Sequence, residues 1–87
     1  VNRLAGKVAI VTGAGRGIGE AIARAFAREG ASTVLAELDL DAARGVAERI
    51  EAETPGARVL PVQTDVTRAA SVCDARDAAE HAFGPVD

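Results

Sequence analysis

Tyrosine, tryptophan and methionine are all absent from the 87 residues, and two phenylalanines are the only aromatic side chains. A core made without large rings must rest on Val, Ile, Leu and Ala, and an aromatic content of 2% is low for a complete domain. Cysteine is nearly missing as well. Cys73 stands alone, which excludes an internal disulfide, and it has no second ligand nearby for a metal, so it is expected to pack as a small residue in a helix. There is no excess of positive charge. Ten Lys and Arg face thirteen Asp and Glu for a formal net charge of −3, and the cations are scattered among the acids, which argues against a nucleic-acid partner. Nor is there a long hydrophobic run: Val8-Ala9-Ile10-Val11 is far shorter than the roughly 20 apolar residues of a membrane span, and too short for a signal-peptide core. A cytoplasmic location without a membrane partner is the expectation.

What is present reads as one globular domain, 48% hydrophobic and 26% charged. A chain of this size buries only about 60 to 65% of its unfolded surface, so its stability alone is marginal. Beginning on Val1 rather than Met points to a processed or incomplete chain.

Lys7 to Thr12 is a β-branched run that leads straight into Gly13-Ala14-Gly15-Arg16-Gly17-Ile18-Gly19, the pattern of a strand, a turn and a helix. Ile18, Ile22, Ala25 and Phe26 then recur at helical spacing until Gly30, and form the expected packed face. Thr33 to Glu37 is a second strand. Asp39 can cap the next helix, which carries Ala43, Val46, Ala47 and Ile50, and Thr54-Pro55-Gly56 ends that unit. Arg58 to Thr64 makes a third strand, in which Pro61 argues for an edge position. Thr67 is the expected cap of a last helix with Val72, Ala75, Ala79 and Phe83 inward, closed by Gly84-Pro85. Three strands alternating with three helices predict an α/β fold: the first βαβαβα half of a Rossmann-type doubly wound parallel sheet, strand order 3-2-1.

A strand that ends in glycines and opens a helix leaves backbone N–H groups and the positive helix end where a pyrophosphate can sit. Gly13 relieves the turn, Gly17 lets backbone approach phosphate, and Gly19 lets the helix lie close. Their spacing is G-x-x-x-G-x-G, and no frame here gives G-x-G-x-x-G. A P-loop is excluded because no Gly-Lys-Ser/Thr closes the segment. An S-adenosylmethionine-binding methyltransferase-like domain remains an alternative on Gly13, Gly15 and Gly17, weakened by Val11 and Thr12 where such enzymes place an acid. Glu37 lies close to the roughly 20-residue offset beyond the glycines at which an acid grips an adenosine ribose. Its carboxylate would repel a 2′-phosphate, favouring NAD over NADP. Arg16 opposes this, since its guanidinium could reach such a phosphate, while Leu38 adds no second positive charge.

Leu4 through Gly19, with Thr12-Gly13 opening T-G-x-x-x-G-x-G, resembles the start of the short-chain dehydrogenases/reductases. Asp65-Val66-Thr67 and Phe83-Gly84-Pro85-Val86-Asp87 resemble later family segments, so the likeness covers the whole chain. The resemblance implies that Gly13, Gly15, Arg16, Gly17, Ile18 and Gly19 hold the pyrophosphate and adjoining ribose, and that Glu37, followed by Leu38, holds the adenosine ribose. It implies that Asp65 accepts from the adenine amino group and that the Val66 N–H faces a ring nitrogen. Taken alone, Asp65 also reads as a turn residue bonding its own backbone. The family's catalytic Ser and Tyr-x-x-x-Lys lie beyond Asp87, so no catalytic residue and no metal ligand is assigned. His81 reads as a surface residue at a helix C-terminus. Residues 1–87 are thus expected to be the N-terminal portion of an NAD(P)-binding domain, in an oxidoreductase moving hydride between nicotinamide and an alcohol or carbonyl substrate. The resemblance also implies a homo-oligomer, dimer or tetramer. The alternative is a non-catalytic nucleotide-binding module.

Overall fold

Short β-branched runs joined by amphipathic segments can pair only in parallel, because each connection must cross back over the sheet as a helix. The computed structural model describes residues 3–87 and follows that rule. Val1, expected to mark a processed or incomplete chain, lies outside the described residues together with Asn2. The elements run β1 (Val8–Thr12), α1 (Gly17–Arg28), β2 (Ser32–Glu37), α2 (Leu40–Glu53), β3 (Val59–Gln63) and α3 (Ala69–Phe83). The sheet order is β1-β2-β3, the expected 3-2-1 read from the other edge, and both pairings are parallel. Thr12 lies opposite Ala36 and Glu37 opposite Gln63, so the three strands end level with one another.

β2 is central, and Ser32 through Ala36 are all buried, as a strand covered on both faces requires. Leu35 faces α1 and α2 in a cluster with Val11, Ala23, Ala27, Val46 and Ile50. Val34 faces the other way, toward Ala79 and Phe83 of α3. Pro61 sits on the edge strand opposite Leu35, where a missing donor costs no ladder bond on the outer side. Asp87 meets the outer edge of β1, where its N–H donates to the Val8 carbonyl at 2.9 Å and its Oδ2 accepts the Val8 N–H at 2.7 Å.

Asp39 caps α2 by accepting the Ala42 N–H at 3.1 Å, and Ala43, Val46, Ala47 and Ile50 are its buried face. The packed face of α1 is not the expected one. Ile18 and Ile22 are 81% and 41% exposed, and the buried residues are Ala23 and Ala27, with Phe26 partly covered. The physical cause lies at Gly19: a Cβ there would stand 2.1 Å from the Gly13 carbonyl oxygen, so the helix is pressed against the preceding turn by its smallest residue. That contact rotates the seam by one residue, about 100°, onto Gly19, Ala23 and Ala27. On α3, Ala75 and Ala79 are buried but Val72 is exposed, and Cys73, expected to be packed, is exposed too. Thr67 is not the cap of α3, its hydroxyl being taken by Asp65; Arg68 holds that position and, with a donor-only side chain, makes no cap bond.

On the surface Glu20 accepts from Arg24 at 3.4 Å and from Arg49 at 3.1 Å, and Arg24 also pairs with Glu53, tying α1 to α2. Such partly exposed pairs add little beyond orientation.

Truncating Leu35 to Ala empties the centre of the larger cluster and is expected to cost about 2–5 kcal/mol of unfolding free energy in urea. Val72→Ala, on the solvent side of α3, is expected to change it by less than about 0.5 kcal/mol. Equal losses would contradict the packing described.

Candidate functional site

Because the strands end level, three turns meet at one end of the sheet. The first follows Thr12. Gly13 has φ +63° and donates its N–H to the Ala36 carbonyl at 2.9 Å, extending the ladder by one bond before the chain turns away. Gly17, the first residue of α1, has φ +59°, and a Cβ at either glycine would meet nothing within 4 Å. Both therefore need glycine for backbone conformation, with open space beside them. The N-cap, Arg16, is extended and makes no side-chain cap bond, so the first-turn N–H groups of α1 are available to an anion.

Glu37 ends the central strand, and its carboxylate joins two turns. Oε1 accepts the Gly15 N–H at 3.1 Å and Oε2 accepts the Asp39 N–H at 2.9 Å. Gly15 has its own steric requirement, since a Cβ would lie 2.8 Å from Glu37 Cγ and 2.9 Å from Ala42 Cβ. The Arg16 guanidinium reaches to 4.0 Å from Asp39 Oδ2, with both side chains largely in water. That neighbour offsets part of the positive charge Arg16 brings to the loop.

The third turn follows β3. Asp65 Oδ1 accepts both the N–H of Thr67, at 2.9 Å, and its hydroxyl, at 2.6 Å. The turn reading of Asp65 is therefore realised, and among the described residues nothing donates to its second carboxylate oxygen. The Thr67 hydroxyl and then the Thr67 N–H hold the Asp65 carboxyl below its ordinary value of 3.8. Leu38 and Val66, 62% and 58% exposed, stand as apolar side chains at this end. With Gly13, Glu37, Asp65 and Thr67 they line a hollow of about 260 Å³.

Of the sequence-derived candidates, Gly13, Glu37, Leu38, Asp65 and Val66 line this hollow. Gly15 adjoins it through Glu37, and Arg16, Gly17, Ile18 and Gly19 form the neighbouring helix start. His81 is an exposed residue in the last turn of α3 and takes no part. A hollow of about 450 Å³ along the outer edge of β1 is lined mainly by apolar groups such as Val8, Ile10 and Phe26. Another, of about 210 Å³, lies at the opposite end of the strands among Gly30, Pro55 and Arg58. Both lack the glycine turn. Among the described residues no cluster of His, Cys, Asp and Glu could hold a metal ion, and no helix is long and apolar enough to cross a membrane. Sequence reasoning missed the supporting residues Gln63 and Ser71. Gln63 Nε2 donates to the Leu38 carbonyl at 3.2 Å, and Ser71 Oγ accepts the Asp65 N–H at 2.8 Å. Neither pairing has a spacing signature.

The family model for short chain dehydrogenase matches residues 7–87. This chain belongs to the short-chain dehydrogenase family. It is 48% identical over 83 residues to 2,5-dichloro-2,5-cyclohexadiene-1,4-diol dehydrogenase LinX of Sphingobium indicum, covering 95% of this chain and 32% of that protein. Among solved structures, a 7α-hydroxysteroid dehydrogenase complexed with NADH and 7-oxo glycochenodeoxycholic acid superposes with a TM-score of 0.91 at 40% identity, over 98% of this chain and 32% of that one. The 3-ketoacyl-(acyl-carrier-protein) reductase of Brucella melitensis, complexed with NADH, gives a TM-score of 0.86 at 43% identity, over 97% and 33%. The chain spans about a third of the length of these three proteins. In this short-chain dehydrogenase chain the glycine turn, the β2 acid and the β3 acid fall at one end of one sheet.

Removing the Thr67 hydroxyl should raise the Asp65 pKa part of the way back toward 3.8, the backbone N–H remaining, and a carboxyl-carbon NMR titration of Thr67→Val against the parent protein reads this directly. The sign follows from linkage. A depressed acid stabilises the fold above its unfolded pKa, and that contribution disappears as pH falls through the folded value, so the parent protein loses it only below 3.8. An unchanged Asp65 titration in the variant would remove the Thr67 hydroxyl as a cause.

Proposed function

We propose that this chain supplies the nicotinamide-dinucleotide-binding part of an oxidoreductase acting on an alcohol or carbonyl substrate, with NAD preferred to NADP. The observation that carries the reading is the Glu37 carboxylate, held at the end of β2 against the Gly15 and Asp39 N–H groups and lining the hollow beside the glycine turn.

The residues present fit such a cofactor. Open space beside Gly13 and Gly17 and the uncapped start of α1 suit a pyrophosphate, which needs unpaired N–H groups and close backbone approach. Each Glu37 oxygen has a lone pair beyond the one used by its backbone partner, so the carboxylate can also accept from ribose hydroxyls. A 2′-phosphate would bring like charge to the same carboxylate. Leu38 and Val66 offer apolar contact to a planar base, and Asp65 an acceptor at its edge.

When bound, the nicotinamide ring supplies or receives the hydride. Gly13, Gly15, Arg16, Gly17, Ile18 and Gly19 hold the diphosphate end, and Glu37, Leu38, Asp65 and Val66 fix the adenosine end. Their work is orientation: they set the position of a cofactor whose far end reacts, which supplies rate by removing freedom before the chemical step. Residues 1–87 contribute no proton donor to the substrate in this reading. NADH in both solved structures, with 7-oxo glycochenodeoxycholic acid beside it in one, supports the reaction class. A dimer or tetramer of the full-length protein belongs to the same reading.

Fluorescence titration with NADH and NADPH tests the proposal. NADH should bind at least about tenfold more tightly, as a like-charge contact of modest screening predicts, and Glu37→Ser should narrow the gap by weakening NADH. Preference for NADPH in the parent protein would show that Arg16 governs the site instead.

A further inference from the structure

One acid stands at the helix start that the proposed function gives to a diphosphate. Glu20 belongs to the first turn of α1, three residues and about 4.5 Å of helix rise past Gly17, and helical side chains lean back toward the N-terminus. An unheld carboxylate there is drawn to the same free N–H groups and positive helix end that suit a pyrophosphate. Yet among the described residues none of those N–H groups donates to Glu20, whose oxygens are taken by arginines instead. Arg49, from α2, meets the carboxylate as a fork, Nε on Oε2 at 3.1 Å and Nη2 on Oε1 at 3.3 Å, and Arg24 adds Nη1 on Oε2 at 3.4 Å. Glu53 engages the rest of the Arg24 guanidinium. With 18% of its side chain exposed, Glu20 is the most covered member of the group.

We propose that Arg49, seconded by Arg24, is a positioning residue for the dinucleotide: it draws the Glu20 carboxylate toward α2 and cancels its charge, so that the start of α1 stays unclaimed and electropositive for the diphosphate. This rests on the nicotinamide-dinucleotide reading above. Arg24 and Arg49 balance Glu20 and Glu53, so the group as a whole is neutral. Without Arg49 it carries one negative charge in excess, at the end of α1 where the diphosphate would sit. A lone negative charge roughly 10 Å from a doubly charged diphosphate weakens binding about fourfold at the dielectric constant of water.

The directions of the two pulls matter as much as their charge. Arg49 comes from the neighbouring helix, so it draws Glu20 across to α2 rather than back along α1 to the free N–H groups. Arg24 lies one turn further along α1, the favourable order of acid before base, and draws the carboxylate away from the helix start. As contributions to stability these pairs count for little. Neither arginine lines the hollow at the strand ends, so their influence on a dinucleotide passes through Glu20. Arg76, paired with Asp77 on α3, offers a comparison: it carries the same charge on the other face of the sheet.

The test is a fluorescence titration of the full-length protein with NADH at about 10 mM salt, where surface charges are barely screened. Arg49→Met should weaken NADH about fourfold, and the loss should fade to less than about 1.5-fold in about 0.5 M salt. Glu20→Gln should tighten NADH by a similar factor, and the double variant, Glu20→Gln with Arg49→Met, should return to the parent value. Arg76→Met, the same change of net charge on α3, should leave NADH binding alone. A residue that merely straps α1 to α2 gives another pattern: either single variant loses the strap, and the double variant binds no better than Arg49→Met. That pattern, or an Arg49→Met protein that binds like the parent, overturns this inference and spares the dinucleotide reading. A loss that survives high salt, or is matched by Arg76→Met, overturns it as well. Should Arg49→Met fail to fold, Glu20→Gln decides, since tighter binding supports the inference and unchanged or weaker binding overturns it. A parent protein that does not bind NADH overturns both.

Discussion

The Glu37 carboxylate is the constraint on which this end of the molecule depends. It closes the central strand and, through one oxygen on the Gly15 N–H and the other on the Asp39 N–H, ties the glycine turn to the start of α2. Both contacts are between an ionisable group and backbone donors, which makes them stronger than neutral bonds. They explain why position 15 is glycine, since any side chain there would collide with Glu37 and Ala42. Asp39 is thereby engaged twice, its N–H held by Glu37 and its side chain capping α2 at Ala42. A second close contact, Gly19 against the Gly13 carbonyl, sets the rotation of α1. Two glycine contacts and one carboxylate thus fix the relative placement of β1, α1, β2 and α2 before any ligand is considered.

Much of this was legible in the sequence where the signal is local. The face of α2, the Asp39 cap and the edge position of Pro61 follow from periodicity, capping chemistry and the missing proline N–H, and each is found as expected. Readings failed where a distant contact overrode a local pattern. Ile18 and Ile22 look like a core stripe, yet the seam is Gly19, Ala23 and Ala27, because close approach to the turn outweighs the hydrophobic gain of the larger residues. Thr67 looks like a cap, but Asp65 competes for its hydroxyl at shorter sequence range. The requirement for Gly15 comes from a residue 22 positions away, and no spacing rule contains it.

The same geometry gives the functional reading its coherence. In the proposed function an anion sits at the uncapped start of α1, a sugar at Glu37 and a base between Leu38 and Val66, in the order in which a dinucleotide presents those groups. The supports lie outside the contact surface: Gln63 holds the Leu38 carbonyl, and Ser71 holds Asp65. Binding then needs little rearrangement of the three turns, and affinity goes into orienting the cofactor rather than into ordering the loops.

The most direct measurement is a nitrogen-15 NMR titration with NADH that follows backbone amides one by one. The account predicts that Gly15, Gly17, Ile18 and Val66 shift together with one dissociation constant while Ile50, in the core under α2, stays still. NADH that binds and leaves the Gly15, Gly17 and Ile18 amides unmoved would contradict it.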